Sequence, residues 1–395
     1  MPKFAAAYRK NISTKGQMNE DERILPDGMF APGRRYSAYV DFFRRRYGAR
    51  LQKVVIDAGF TCPNRDGSVG RGGCTFCDNA AFHPAYSCAE KTIGEQIDEG
   101  IGFHRGRYRN TTAYLAYFQA YSNTYASLDR LRELYRAALS HPSVVGIVIG
   151  TRPDCVDAEK LDFLKELAEG KVLDGWRREM PVAGKSSSEA TVSGESACSD
   201  ASTGSSASGT SVGSGAEKMP ETYMFDRPLV IVEYGIESCY DATLRRVNRG
   251  HDFASARRAV EMTASRGLDC GAHFILGLPG ESREMMLEEC AMINSLPLTT
   301  VKFHQLQIVN GTTMEREYAE HPEDFLRFTL DGYIDFFTDM LERLRPDLCI
   351  ERFAGEVPPR FVNGTPWGLI RNVELIRLLE KRLKDRNTWQ GRLLL

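Results

Sequence analysis

The chain has 395 residues, of which 42% are hydrophobic and 26% charged, and its formal net charge is -2 at pH 7. These proportions are those of a globular protein with one large or two ordinary domains, and they exclude a polycation or a wholly disordered chain. No run of about 18 apolar residues occurs, so no membrane span is expected. The N-terminus lacks a long apolar segment, and the ten cysteines then point to a reducing, cytoplasmic setting where thiols serve metals or chemistry.

Residues 1–34 are polar, with Gly, Pro and mixed charges, and are expected to form a flexible N-terminal arm. Arg35 to Tyr47 interleaves aromatics with cations. This reads as an amphipathic helix, with its arginines either solvated or contacting phosphates. The apolar run at Val54 predicts a first strand. A loop with three cysteines follows, Cys62, Cys74 and Cys77, spaced C-x11-C-x2-C with four glycines between the first two cysteines. Three thiolates can hold three corners of a cubic iron–sulfur cluster and leave the fourth iron to a non-protein ligand. A structural zinc usually needs four ligands. Buried or free thiols are the third reading.

Glu90 to His104 predicts a helix, with Ile93, Ile97 and Ile101 on one face. Thr112 to Ala120 predicts a strand, closed by the polar loop from Tyr121 to Tyr125. Leu128–Leu139 (helix), Val144–Ile149 (strand) and Ala158–Ala168 (helix) continue the alternation. Residues 183–219 interrupt it. They are rich in Ser, Gly, Ala and Thr, bury too little apolar surface to offset their ordering entropy, and are expected to be a disordered insertion. Cys198 within them is expected to be no ligand. The pattern resumes with strands at Leu229–Tyr234, Cys270–Leu276 and Thr300–Val309 and helices at Phe253–Ser265 and Glu284–Ser295. Strand–helix repeats predict an α/β fold with a parallel sheet, whose chemistry gathers at the C-terminal strand ends. Six units make an incomplete barrel with a lateral mouth. The core spans 35–310. Residues 311–395, helical at Phe325–Leu344 and Leu369–Leu383, are expected to be a small, mostly helical C-terminal module. Its last helix is basic, with Lys381, Arg382, Lys384 and Arg386.

The loop AGFTCPNRDG…GGCTFC, together with motifs later in the chain, resembles the YhcC-type branch of the radical SAM superfamily, related to the radical SAM domain of the elongator catalytic subunit. The resemblance implies a partial (β/α)6 TIM-like barrel. It implies a [4Fe-4S] cluster on Cys62, Cys74 and Cys77, and S-adenosylmethionine at the open iron. One electron, from a donor such as flavodoxin or ferredoxin, then cleaves the sulfonium to give a 5′-deoxyadenosyl radical. Gln119, Ser122 and Asn123 stand where the family holds the SAM amino group, although QAYSN lacks the usual Gly-Gly-Glu. Glu237 in Gly235-Ile236-Glu237-Ser238 corresponds to the ribose contact and Arg249 to the carboxylate contact. His273, before Gly277-Leu278-Pro279-Gly280-Glu281, would point into the barrel, and Lys302 to Leu306 would line the substrate or adenine pocket. Thr151 to Asp154 is a further candidate.

Relatives in this branch imply tRNA as partner, with radical chemistry at the carbon-5 side chain of the wobble uridine. Arg44 to Arg46, Arg105, Arg107, Arg109 and the last helix would then grip phosphates. A small-metabolite radical enzyme and a non-catalytic zinc module are the alternatives.

Overall fold

The computed structural model describes residues 25–81, 83–105, 111–181, 222–362, 367 and 370–394. The expectations for 1–24, for the Ser/Gly-rich segment and for Arg107 and Arg109 lie outside these residues. The strands are β1 Leu51–Ile56, β2 Ala113–Phe118, β3 Val144–Thr151, β4 Arg178–Pro181, β5 Thr222–Phe225, β6 Leu229–Glu237, β7 Asp269–Leu276, β8 Thr300–Gln305 and β9 Cys349–Arg352. The helices used below are α1 Tyr39–Tyr47, α2 Pro63–Asp66, α3 Ile93–Arg105, α4 Leu128–Ser140, α5 Ala158–Ala168, α6 Asp241–Arg246, α7 Phe253–Ser265, α8 Arg283–Ser295, α9 Thr313–Glu320, α10 Leu330–Arg343 and α11 Asn372–Asp385.

Seven strands pair in the order β1-β2-β3-β6-β7-β8-β9, every pair parallel. They curl into a half-barrel with the helices outside. Helix starts follow the expected capping chemistry: Ser127, Asp157, Asp252, Ser282 and Thr329 each accept from a backbone N–H of the first turn. Thr92 and Glu95 form a reciprocal capping box at the start of α3.

Six of the seven strands match the sequence expectation. The seventh, β9, comes from the region expected to be an appended helical module. It extends the sheet beside β8, and α10 packs Tyr333, Phe336 and Phe337 into the same core as the barrel helices. At the other end, residues 25–34 bury Phe30 and ion-pair Arg34 with Asp41 at 3.2 Å and with Glu380. The ribbon β4–β5 pairs Pro181 with Thr222, so the described residues on either side of 182–221 lie side by side.

The barrel interior is layered from foot to rim. At the foot, Leu51, Leu115, Val148 and Ile231 pack with Met180 and Phe225 of the ribbon and Phe43 of α1. The next layer is charged. Lys53 of β1 reaches Glu351 of β9 at 2.7 Å and also pairs with Glu233 of β6, while Lys302 of β8 lies 2.5 Å from Glu233 and 3.1 Å from Glu351. Both ammonium groups sit over the Tyr117 ring, at 5.0 and 4.5 Å from its centroid. Burial alone would raise the Glu233 carboxyl, but Lys302 and Lys53 outweigh it and hold it well below the usual range. The Lys53–Glu351 pair joins the first strand to the last, and Ala38 bridges Ile350 beside it. The lateral mouth expected of an open barrel is therefore crossed at mid-height.

Candidate active site

Above the charged layer, at the C-terminal ends of the strands, lies a cavity of about 270 Å³. Cys62, Cys74 and Cys77 all line it. The loop that carries them starts from the short helix α2, where Pro63 supplies the fixed first-turn φ and Gly67 closes in the left-handed region at φ 96°. Gly72 and Gly73 follow at φ 81° and 82°. The left-handed φ at Gly73 favours glycine, and a Cβ there would also crowd the Arg65 side chain at 2.9 Å from Nε. Thr75 N donates to Val247 O, and Met314 N donates to Thr75 O. These bonds fix the C-x2-C segment across the barrel top.

Cys74 Sγ accepts from Asn64 Nδ2 at 3.7 Å and from Arg249 Nη1 at 3.6 Å. Burial and the neighbouring Cys74 push the Cys77 thiol up to about 11, against the opposing pull of Arg65. Three thiols lining one cavity, with Arg249 beside Cys74 and Arg65 beside Cys77, form a donor set suited to a bound cation, which reverses that shift. Among the described residues no three His, Cys, Asp or Glu side chains converge on one ion position. A tetrahedral zinc needs that convergence, whereas a cubane spreads its thiolates over separate irons. Three cysteines on one cavity, one of them accepting from Asn64 and Arg249, are a donor set that fits three corners of a cubane.

The adjoining wall is Gly235, Glu237 and Arg249. Arg249 Nη2 donates to Gly235 O at 2.5 Å and lies 3.6 Å from Glu237 Oε1. Burial opposes the charge on Arg249, but Cys74 and Glu237 outweigh it and raise its pKa. Glu237 Oε2 sits 2.6 Å from His273 Nδ1. Burial would raise the Glu237 carboxyl, yet His273 and Arg249 keep it low and ionised. Glu237 has φ 75°, Tyr121 φ 59° and Asn248 φ 52°; such left-handed non-glycine residues store strain and concentrate at functional sites. The turn after Glu237 is held from behind. Ser238 Oγ donates to Glu281 Oε1 at 2.5 Å, and Cys239 N donates to Glu289 Oε1 at 2.5 Å. Burial pushes both carboxyls up, Glu281 to about 7 and Glu289, also repelled by Glu281, to about 8.

Of the expected cofactor residues, Gln119, Ser122, Glu237, Arg249 and His273 line the cavity. Asn123 does not. Its Nδ2 donates to Gly150 O at 2.8 Å, and its carbonyl accepts from Tyr135 OH, so it ties the β2 loop to the end of β3. Arg152 lines the cavity, chelates Asp154 through two bonds of 2.8 and 2.7 Å, and holds Arg249 O at 2.8 Å. Tyr117, Glu233, Arg65 and Asn79 also line it. Sequence reasoning passed over these, although Glu233 was visible as a charge inside the apolar run LVIVEY. Asn79 Nδ2, Arg249 Nε and His273 Nε2 are buried without a hydrogen-bond partner among the described residues, so this wall offers polar atoms to a ligand.

Some of the cations expected to grip phosphates are engaged within the chain. On α11, Arg382 pairs with Asp331 and Asp335, Arg386 with Asp339 and Lys381 with Asp385. Arg46 pairs with Asp269 at the foot of β7, away from the cavity.

Residues 298–385 match the family model of the radical SAM C-terminal domain. Protein YhcC of Escherichia coli strain K12 is 32% identical over 310 residues, 78% of this chain and 80% of that protein. The chain belongs to the YhcC family of radical SAM proteins. A shorter match, 26% identical over 149 residues, covers 36% of this chain and 31% of a protein of Dehalococcoides mccartyi named tRNA uridine(34) acetyltransferase. Among solved structures, the archaeal Methanocaldococcus infernus Elp3 superposes with a TM-score of 0.55 at 13% identity, over 86% of this chain and 64% of that one. That likeness supports the radical SAM half-barrel fold. Among the described residues of this family member, no helix is long and apolar enough to cross a membrane.

Proposed function

We propose that the chain is a radical SAM enzyme in which Cys62, Cys74 and Cys77 hold a [4Fe-4S] cluster and the wall of Gln119, Ser122, Glu237, Arg249 and His273 binds S-adenosylmethionine. The observation that carries this reading is that these three cysteines share one cavity with an ionised carboxylate, a buried arginine and unpartnered polar atoms. When bound and reduced, the cluster supplies the electron that breaks the sulfonium C–S bond and yields a 5′-deoxyadenosyl radical.

The chain's own residues do the rest. Arg249, anchored by Gly235 O and by Arg152, presents its guanidinium to a carboxylate. Glu237 is left ionised and able to accept from ribose hydroxyls while Oε2 stays on His273. The apolar group of Val247, Ile275, Leu278, Ile308 and Met314, against which Phe76 packs, shields the C-x2-C segment from water.

The substrate proposed is tRNA, modified on the carbon-5 side chain of the wobble uridine. Its support is the match to the protein named tRNA uridine(34) acetyltransferase. The intramolecular pairing of the α11 cations weakens that helix as a phosphate grip and keeps a small-metabolite substrate as the second reading. Two measurements test the proposal. Anaerobically reconstituted protein with a one-electron reductant such as reduced flavodoxin should convert S-adenosylmethionine to 5′-deoxyadenosine, and failure to do so sinks the enzyme reading. Nucleoside analysis of tRNA from cells with and without the gene should differ at the wobble uridine. Identical profiles reject tRNA and leave the radical chemistry standing.

A further inference from the structure

The cavity continues beyond the cofactor wall to the ends of β8 and β9. From Cys74 Sγ a chain of side chains crosses it: Arg249 at 3.6 Å, then Glu237 at 3.6 Å, His273 at 2.6 Å, His304 with ring centroids 4.4 Å from His273, and Arg352 Nη1 at 3.3 Å from His304 Nε2. Arg352 therefore stands at the opposite end from the sulfurs. It belongs to the seventh strand, which sequence reasoning did not foresee.

Its position depends on a register slip. β8 and β9 pair Val301 with Ile350 and then Lys302 with Arg352, skipping Glu351. Such a bulge re-aims side chains and recurs next to active sites. Here it sends Glu351 to the charged layer and sets Arg352 directly beside Lys302. Two cations side by side on neighbouring strands repel. Lys302 is compensated by Glu233 and Glu351. Arg352 is exposed and makes no ion pair among the described residues. Burial, together with His273, Arg352 and Lys302, keeps the His304 imidazole neutral. Because a guanidinium only donates, His304 Nε2 accepts and its ring proton sits on Nδ1. His304 thus orients Arg352 without neutralising it. Gln305 and Gln307 both donate to Gly355 O, at 3.3 and 3.4 Å, and stiffen the strand ends beneath it. Over the whole cavity five cationic side chains face two carboxylates. One of the five, Arg249, is the residue assigned to the cofactor's own carboxylate.

We propose that Arg352, set beside Lys302 by the β8–β9 bulge and held by His304, is the subsite for an oxyanion of the substrate, a phosphate or carboxylate group. The inference rests on the radical SAM reading, since it takes the sulfur end for the cofactor and leaves this end for substrate. An extended guanidinium suits a bidentate oxyanion, and a charge-assisted pair of this kind is expected to change affinity by about tenfold or more.

The test uses cluster-loaded protein saturated with S-adenosylmethionine, so that Arg249 is already engaged. Uridine and uridine 5′-monophosphate are titrated by calorimetry, with inorganic phosphate and acetate as competitors. The monophosphate should bind about tenfold tighter than uridine. That advantage should vanish in Arg352→Gln and return in part in Arg352→Lys. Displacement by phosphate alone, or by acetate as well, tells which oxyanion the subsite takes. Equal affinities for uridine and its monophosphate in the native protein, or an advantage that survives Arg352→Gln, overturn the proposal. Circular dichroism of Arg352→Gln guards against misfolding. If 5′-deoxyadenosine never forms, the radical SAM reading fails instead, and the phosphate dependence still reports on Arg352.

Discussion

The sulfur end of the cavity and its floor are built in opposite ways. The sulfur end is made from loops: left-handed residues at Gly67, Gly72, Gly73, Tyr121, Glu237 and Asn248, thiols crowded together, and donors left unmet. The floor is made from strands, where Lys53, Glu233, Lys302 and Glu351 satisfy one another. The sulfur end keeps unspent polar capacity for a ligand, and the floor holds the scaffold in shape. A substitution in the first should therefore cost binding or chemistry, and one in the second should cost stability.

The sharpest contrast comes from Cys74→Ala. It should abolish cluster loading, read as iron content and absorbance near 400 nm, and with it all 5′-deoxyadenosine, while the melting temperature of the apoprotein barely moves. Lys302→Met inverts the pattern. It leaves Glu233 and Glu351 short of a partner and should cost about 3–5 kcal/mol in urea unfolding. Adding Glu233→Gln should recover part of that loss. Gly235→Ala tests the cofactor wall, at a smaller cost in stability than Lys302→Met. Its Cβ would stand 2.5 Å from Glu237 Oε1 and 2.8 Å from Arg249 Nη2, both buried and bonded. S-adenosylmethionine affinity should fall about tenfold or more.

The smallest effect concerns the hinge between the two regimes, the carboxyl pair behind Ser238. Glu281 and Glu289 hold their protons more tightly in the folded chain than in the unfolded one. Their contribution is complete below the ordinary carboxyl range and is lost as pH rises through about 7 to 8. Glu289→Gln should flatten the fall in melting temperature between pH 5 and 8, while Glu289→Ala should lower melting at every pH. A native curve without that slope would show that the pair does not share this burden.

Much of the fold is legible in the chain because Val/Ile/Leu runs at regular spacing leave few other arrangements. β9 was missed because four residues, Cys-Ile-Glu-Arg, carry neither length nor alternation. The cysteine loop was legible because its function is local in sequence. The charged layer was not, since Lys53, Glu233, Lys302 and Glu351 reveal their purpose only when four strands meet. Asn123 was placed with the cofactor by its neighbours in the loop, yet its amide serves Gly150. The basic stretch of α11 suggested a phosphate grip because the aspartates that answer it, Asp331, Asp335 and Asp339, sit on another helix.

The clasp between Lys53 and Glu351 has a consequence for how any large substrate arrives. With the first and last strands tied at mid-height, the flank is narrowed at that level among the described residues. The approach left to a large substrate would then be end-on, over the rim. A nucleobase still stacked in a folded RNA cannot make that approach, so it would have to swing out of its stack and descend alone, sugar and phosphate trailing at the edge.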